Sequence, residues 1–208
     1  MRTIQKGPEP ASLTKHRQQP HADYDNYGDK AALRQALVAE QRGLCCYCQS
    51  RIRATPEDMK IEHRQCQADY PARQLDFRNL HGVCKGNEGQ PIDRQYCDTR
   101  KGNSDLCFSV CDPAHPIERK IRFLGNGEIT SDDEAVRIAI NGVLNLNWNR
   151  LKENRKSALT GFLQGLGNAK LDHAKELPKW DGSLDSELPP FSQIVAHYLL
   201  KKLKRLPA

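Results

Sequence analysis

The chain has 208 residues, 38% of them hydrophobic and 28% charged, and a formal net charge of +6. It is long enough to bury a core, and no run approaches the roughly 18 apolar residues of a membrane span, so no membrane-crossing helix is expected. The polar start from Met1 to Pro8 lacks a signal-peptide core, so a cytoplasmic location is expected, where eight cysteines point to metal ligation rather than disulfides.

In chain order, residues 1–28 hold Pro8, Pro10 and Pro20 among polar residues and read as an extended surface arm. Over residues 29–42, Ala32, Leu33, Ala36 and Leu37 recur at helical spacing, with Asp29 placed to cap the start and Gly43 to end the helix. That helix delivers Cys45 and Cys48 to a tight turn. Met59-Lys60-Ile61-Glu62-His63 and Asp76-Phe77-Arg78-Asn79-Leu80 read as strands separated by a loop containing Pro71, and a short helix is expected from Cys97 to Asn103. Lys120 to Leu124 and Gly127 to Thr130 flank Gly125-Asn126-Gly127 as a hairpin. Ser131-Asp132-Asp133-Glu134 forms a capping box followed by an apolar face of Ala135, Ile138, Ala139 and Val143. Two more helices are expected, Trp148 to Leu163 and Phe191 to Leu206, the latter after Pro189-Pro190 with Ile194, Tyr198 and Leu199 on one face. The fold class is α+β, in three stretches: an arm (1–28), a core (29–110), and a hairpin with helices (111–208) that packs over the core or docks a partner.

Cys45-x-x-Cys48 has the spacing at which one turn presents two thiolates to a tetrahedral zinc ion, the competing readings being a redox pair or packed thiols. Cys84 and Cys97 are the best candidates to complete it, through a loop running out along Lys85-Gly86-Asn87-Glu88-Gly89 and back. Cys107 and Cys111 form a rival pair, and Cys46 and Cys66 read as packing thiols. A carboxylate beside a histidine, Glu62-His63, with Asp98 just past a zinc-type cysteine, supplies a general base and a cradle for a divalent cation. Asn79 stands where an amide can brace the loop after His63, and Lys101 falls about one turn after Asp98, facing a phosphate.

From Cys45 to Asp105 these residues together resemble the HNH nucleases. The resemblance implies a ββα-metal core with His63 as general base and Asn79 as the central asparagine. Glu62 and Asp98 would ligate Mg2+ or Mn2+, and Cys45, Cys48, Cys84 and Cys97 a structural Zn2+. Asp98 stands where that family usually has histidine or asparagine. The opening Met1-Arg2-Thr3-Ile4-Gln5-Lys6-Gly7-Pro8-Glu9-Pro10, Cys45-Cys46-Tyr47-Cys48, Ile61-Glu62-His63, Asn79-Leu80 and Cys97-Asp98 with Lys101-Gly102 resemble, more narrowly, the HNH subunits of Septu and retron anti-phage systems, the PtuB-like family. This implies a nucleic-acid substrate, an ATPase partner of the PtuA-like kind and, in retrons, a reverse transcriptase with its RNA and DNA. The alternative is a non-catalytic zinc-stabilised module that binds nucleic acid or protein, with the run Lys201-Lys202-Leu203-Lys204-Arg205 as a contact surface or simply a solvated helix face. A thiol oxidoreductase is disfavoured because no βαβ pattern surrounds Cys45 and Cys48.

Overall fold

The computed structural model describes residues 1–166 and 171–204. The first segment is not an extended surface arm. Met1 and Ile4 are buried, and the Ile4 N–H donates to the Val110 carbonyl at 2.7 Å. Pro10, whose ring fixes φ near the helical value, then starts helix α1, Ala11–Arg17. Helix α2, Lys30–Glu40, forms as its pattern demands: the Asp29 carboxylate accepts the Ala32 N–H at 3.1 Å, and Leu33 and Leu37, one turn apart, are fully buried.

Strand β1, Met59–His63, pairs antiparallel with β2, Leu80–Cys84, with His63 opposite Leu80 and Met59 opposite Cys84. The second strand therefore lies four residues later than its sequence expectation. Asp76 accepts the Arg78 N–H at 2.9 Å and caps a single 3-10 turn, Phe77–Asn79, so the ladder starts only at Leu80. All five residues of β2 are buried, so it carries no polar alternation to read. Helix α3, Cys97–Lys101, follows.

Helix α4, Ile117–Lys120, occupies part of the expected hairpin, whose strands shrink to β3, Arg122–Phe123, and β4, Ile129–Thr130. Helix α5, Glu134–Ile138, is capped by Asp133, whose side chain accepts the Val136 N–H. The Ser131 oxygen does accept a backbone N–H, that of Asp133 at 3.1 Å, while its hydroxyl donates to the Lys120 carbonyl at 2.6 Å. Val136, Ala139 and Ile140, at i, i+3 and i+4, are buried while Ile138 is 56% exposed, and a π-helical turn, Ala139–Val143, follows α5. Helices α6, Asn149–Leu166, α7, His173–Glu176, α8, Pro178–Asp181, and α9, Ser192–Leu203, complete the chain. Arg205 and Leu206, assigned above to the last helix and its basic run, lie outside the described residues.

This is an α+β arrangement with two small two-stranded sheets. Its main apolar cluster surrounds Cys45, Cys48, Cys84 and Cys97 with residues from both ends of the fold, among them Ile4, Val83, Ile117, Leu144 and Leu151. Leu13, Leu33, Leu37, Phe77 and Leu80 form a second cluster beneath α2, and Phe162, Ile194, Val195 and Leu199 a third between α6 and α9. The chain leading into α9 is fastened to the cysteine knuckle. The Phe191 N–H donates to the Gln49 carbonyl at 2.9 Å, and Arg51 donates to the Leu188 carbonyl at 2.6 Å. Among the described residues no helix is long and apolar enough to cross a membrane.

Candidate functional site

Three separate pieces of backbone converge on one group of four thiols. Cys45 and Cys48 sit in a loop closed by the Leu44–Arg51 bridge, with the Cys45 N–H on the Ser50 carbonyl at 2.9 Å and Gln49 in the left-handed region, φ +67. The buried Gln41 amide ties this loop to β2. Its Nε2 donates to the carbonyls of Leu44 and Gly82 at 2.8 and 2.7 Å, and its Oε1 accepts the Gly82 N–H at 2.7 Å. Cys84 ends β2 and Cys97 begins α3. The intervening loop returns because the Tyr96 N–H donates to the Gly86 carbonyl at 3.0 Å. At Gly86, φ +56, a Cβ would lie 2.1 Å from the Tyr96 oxygen, so only glycine permits this approach.

The four sulfurs all lie within 4.8 Å of one another, with Cys45 to Cys97 at 3.8 Å and Cys48 to Cys84 at 3.6 Å. Zinc–sulfur bonds of about 2.3 Å span a tetrahedron with edges of about 3.8 Å, so the four buried cysteines can hold a zinc ion. Burial opposes ionisation of Cys45, yet hydrogen bonds from the Cys46, Cys48, Cys84 and Cys97 thiols hold it well below the usual thiol range. Four thiolates around zinc leave net negative charge, and the buried Arg155 guanidinium lies close enough to Cys48 and Cys97 to feel theirs. Burial pulls its pKa down to about 10, and those cysteines pull it back up. The rival cysteines stand elsewhere: Cys107 is exposed, Cys111 meets His81 Nε2 at 3.1 Å, and the Cys66 thiol donates to Asp69 at 3.1 Å.

One strand-width away, Glu62 and Asp98 lie carboxyl against carboxyl. Burial and contact with Asp98 push Glu62 well above the usual carboxylate range. Asp98, despite its own burial, is held below that range by the Glu62 hydrogen bond and by Lys60. Lys60 Nζ is 2.9 Å from Asp98, Lys101 Nζ is 3.2 Å from Glu62, and the Tyr47 hydroxyl donates to Glu62 at 2.8 Å. Lys101 thus does not face an incoming phosphate. Its side chain is 1% exposed, and it also donates to the His63 carbonyl at 3.2 Å, so it neutralises Glu62 and ties β1 to α3.

Adjacent residues on a strand face opposite ways, and His63 accordingly has different partners from Glu62. Its Nε2 is 3.0 Å from the Gln74 carbonyl, which can only accept, so Nε2 carries the hydrogen and Nδ1 the lone pair. Nδ1 faces the Gln67 amide at 3.3 Å, and the ring packs edge-on to Tyr24 at 4.5 Å between centroids. Burial lowers the His63 pKa below its ordinary 6.5, so the ring is neutral at pH 7. Asn79 braces the next turn. Its Oδ1 accepts the Gln65 N–H at 2.9 Å and its Nδ2 donates to the carbonyls of Gln65 and Arg73 at 3.0 and 3.1 Å. With both ends of its amide committed, Asn79 positions the loop rather than contacting substrate. Asn79→Ala leaves those partly buried groups without their protein partner and is expected to cost about 1 kcal/mol, a fall of a few degrees in melting temperature measured by calorimetry.

No family model and no curated protein matches this chain. The site rests on its own geometry, which brings together the four cysteines and, beside them, Glu62, Asp98 and Lys101. Three participants were missed in the sequence. Lys60 was within reach, since it stands two residues before Glu62 on a strand and hence on the same face. Tyr47, between two cysteine ligands, gave no signal of its own, and neither did the Gln74 carbonyl, since any residue supplies one.

Proposed function

We propose that the chain is a metal-dependent HNH-type endonuclease hydrolysing nucleic-acid phosphodiesters, with β1, β2 and α3 as its ββα-metal core. The observation that carries this reading is His63: a buried neutral imidazole whose Nε2 is committed to a backbone carbonyl, leaving Nδ1 as a base, one residue from a carboxylate paired with another on α3.

Two hard oxygen donors suit Mg2+ or Mn2+, which bind through one or two carboxylates plus water and substrate phosphate. Glu62 and Asp98 would hold the ion, which supplies stabilisation for the charge that develops on the phosphate oxygens. His63 Nδ1 takes the proton from water as that water attacks phosphorus in line, while the Gln74 carbonyl steadies the growing imidazolium through the Nε2 hydrogen. Asn79 holds the loop that fixes the ring, and Lys101 joins β1 to α3. The products carry 5′-phosphate ends. Because burial lowers the His63 pKa, the base form persists as pH falls through 6.5. A pH–rate profile is expected to stay level there and to drop only at more acid pH. A midpoint at or above 6.5 would count against His63 as the base.

The narrower resemblance to Septu and retron subunits extends the proposal to an anti-phage effector working with an ATPase. Co-purification with such a partner tests that part separately. A second reading, a non-catalytic zinc-stabilised binding module, is favoured by one observation: each carboxylate is already met by a lysine, Asp98 by Lys60 and Glu62 by Lys101. Cleavage of plasmid DNA, single-stranded DNA and total RNA with Mg2+, beside His63→Ala, decides between them. A module needs zinc but neither His63 nor Mg2+, and a nuclease needs all three.

A further inference from the structure

Behind the loop that carries His63 lies a cleft of about 1330 Å³ that the chemistry above does not use. Its walls are residues 2–8, the last turn of α2, the loop after β1, the stretch from Ser109 to Pro113 and the turn at Gly182. Six basic side chains, Arg2, Lys6, Arg42, Arg64, Arg73 and Arg78, line it against three acidic ones, Glu40, Asp181 and Asp185. The acids are already engaged. Glu40 is held by Lys6 at 2.6 Å and by the Gly7 N–H at 3.1 Å, Asp185 pairs with Arg42, and Asp181 accepts the Ser183 N–H and hydroxyl at 2.8 and 2.6 Å.

Three guanidinium groups are left without a carboxylate among the described residues. Arg2 Nη2 is buried with no hydrogen-bond partner; the like charge of Arg42 opposes its own, while Glu118 and Asp181 favour it without forming an ion pair with it. Arg64 donates only to the carbonyls of Phe108 and Leu106, at 2.9 and 3.4 Å, which leaves its charge uncompensated. Arg78 is exposed, and its side chain meets no acceptor. Gathering uncompensated like charge in a concavity raises the energy of the empty cleft, and an anion relieves it. Guanidinium groups favour phosphate through their paired N–H donors.

The cleft does not end as a closed pocket. A second hollow of about 470 Å³ shares Lys6, Gly7 and Arg78 with it and adds Arg17, paired with Glu9 at 2.9 Å, and Asp76, paired with Arg73 at 2.8 Å, so the groove continues past Phe77 as a track along which Arg78 stays unpaired. A track suits a polyanion better than a single phosphate. It also runs along the loop between β1 and β2, since Arg64 directly follows His63 and Asn79, which braces that loop, lines the cleft.

We propose that this cleft is the track for the sugar-phosphate backbone of nucleic acid, with Arg2, Arg64 and Arg78 as the groups that bind its phosphates. The inference deepens the nuclease reading, and it rests on that reading for where the scissile bond lies, but binding itself needs neither His63 nor Mg2+. The test is fluorescence anisotropy of labelled single-stranded DNA with the full zinc-loaded chain, without added Mg2+, over a salt series. Four forms are compared: wild type, Arg78→Glu, Arg2→Gln and a Lys201→Ala/Lys202→Ala control on α9. Arg78→Glu is expected to weaken binding about tenfold or more and to flatten the slope of log K against log salt by about 0.7 for each phosphate that is no longer neutralised. The α9 control is expected to bind as wild type does. No binding by wild type at low salt overturns the proposal. So does wild-type affinity of Arg78→Glu, whose exposed side chain contributes nothing to folding, or loss of affinity in the α9 control alone. Arg-dependent binding without cleavage would sink the nuclease reading and leave the track, whereas His63-dependent cleavage with unimpaired binding by both arginine variants would do the reverse.

Discussion

Replacing His63 by alanine is expected to lower phosphodiester cleavage by at least about 10²-fold, the lower range for loss of a positioned base, with zinc content unchanged. A hundredfold loss is about 2.7 kcal/mol of transition-state stabilisation. The argument rests on orientation. The Gln74 carbonyl fixes the tautomer, Tyr24 fixes the ring plane, and Asn79 fixes the loop to which Gln67 and Gln74 belong. Alanine removes the Nδ1 lone pair and leaves a small cavity against Tyr24, so a modest stability loss is expected as well. Two readouts separate chemistry from packing. The variant retains its metal and its circular dichroism spectrum, and whatever cleavage remains no longer falls at acid pH. A variant cleaving at nearly the wild-type rate with full zinc would take His63 out of the reaction and leave the binding-module reading.

Stripping zinc is expected to have the larger structural effect. A ligand that binds only the folded chain stabilises it by about 4.1 kcal/mol when its free concentration is a thousand times Kd. For a chain of this size that corresponds to a melting temperature roughly 8–16 °C lower after chelation. The cysteine cluster lies in the main apolar core rather than on a peripheral lobe, so the loss is felt throughout the fold. It also reaches the candidate active site through one peptide bond. Cys97 begins α3 with φ +55, held by its sulfur neighbours and by its N–H on the Leu144 carbonyl at 2.9 Å, and Asp98 is the next residue. Without the metal this strained turn relaxes and Asp98 leaves Glu62. Cys97→Ser is expected to reproduce both effects, read by metal analysis and thermal melting. Purified chain that holds no zinc, and a melting curve that a chelator does not move, would show the thiols to be packing residues.

What the sequence disclosed here was chemistry carried by side-chain identity and local period. The α2 helix was legible because Asp29, Leu33, Leu37 and Gly43 each do a local job, and the cysteine quartet because thiols in this number have few other uses. Strand β1 was legible with Glu62 and His63 on it. The misplacements have physical causes. Asp76 captured its own backbone two residues on, turning an apparent strand into a cap, and β2 is buried on both faces. Asp133 rather than Ser131 caps α5 because the serine oxygen accepts the N–H of Asp133 itself and so begins the turn before the helix, and the apolar face starts one residue later than read, at Val136 rather than Ala135. Lys101 was read as facing a phosphate since nothing local announces that a lysine will be buried against a glutamate 39 positions earlier in the chain. The basic cleft could not be seen at all, because its arginines come from four separate stretches of chain.

The fastening of Gln49 has a consequence for how the molecule assembles. Its carbonyl receives the Phe191 N–H and its side-chain oxygen the Gln193 N–H, an interaction spanning 144 positions, while the first residues close against Val110 and Glu118. Such separations give a high contact order, and loop-closure entropy must be met before the long-range pairings offset it. During synthesis the thiol quartet is complete once Cys97 has emerged, long before the segment that covers its knuckle. For that interval a metal-loaded intermediate presents an open apolar socket to its surroundings. Refolding is thus expected to be slow and prone to association at high concentration, and the rate at which the last helix docks sets how long that exposure lasts.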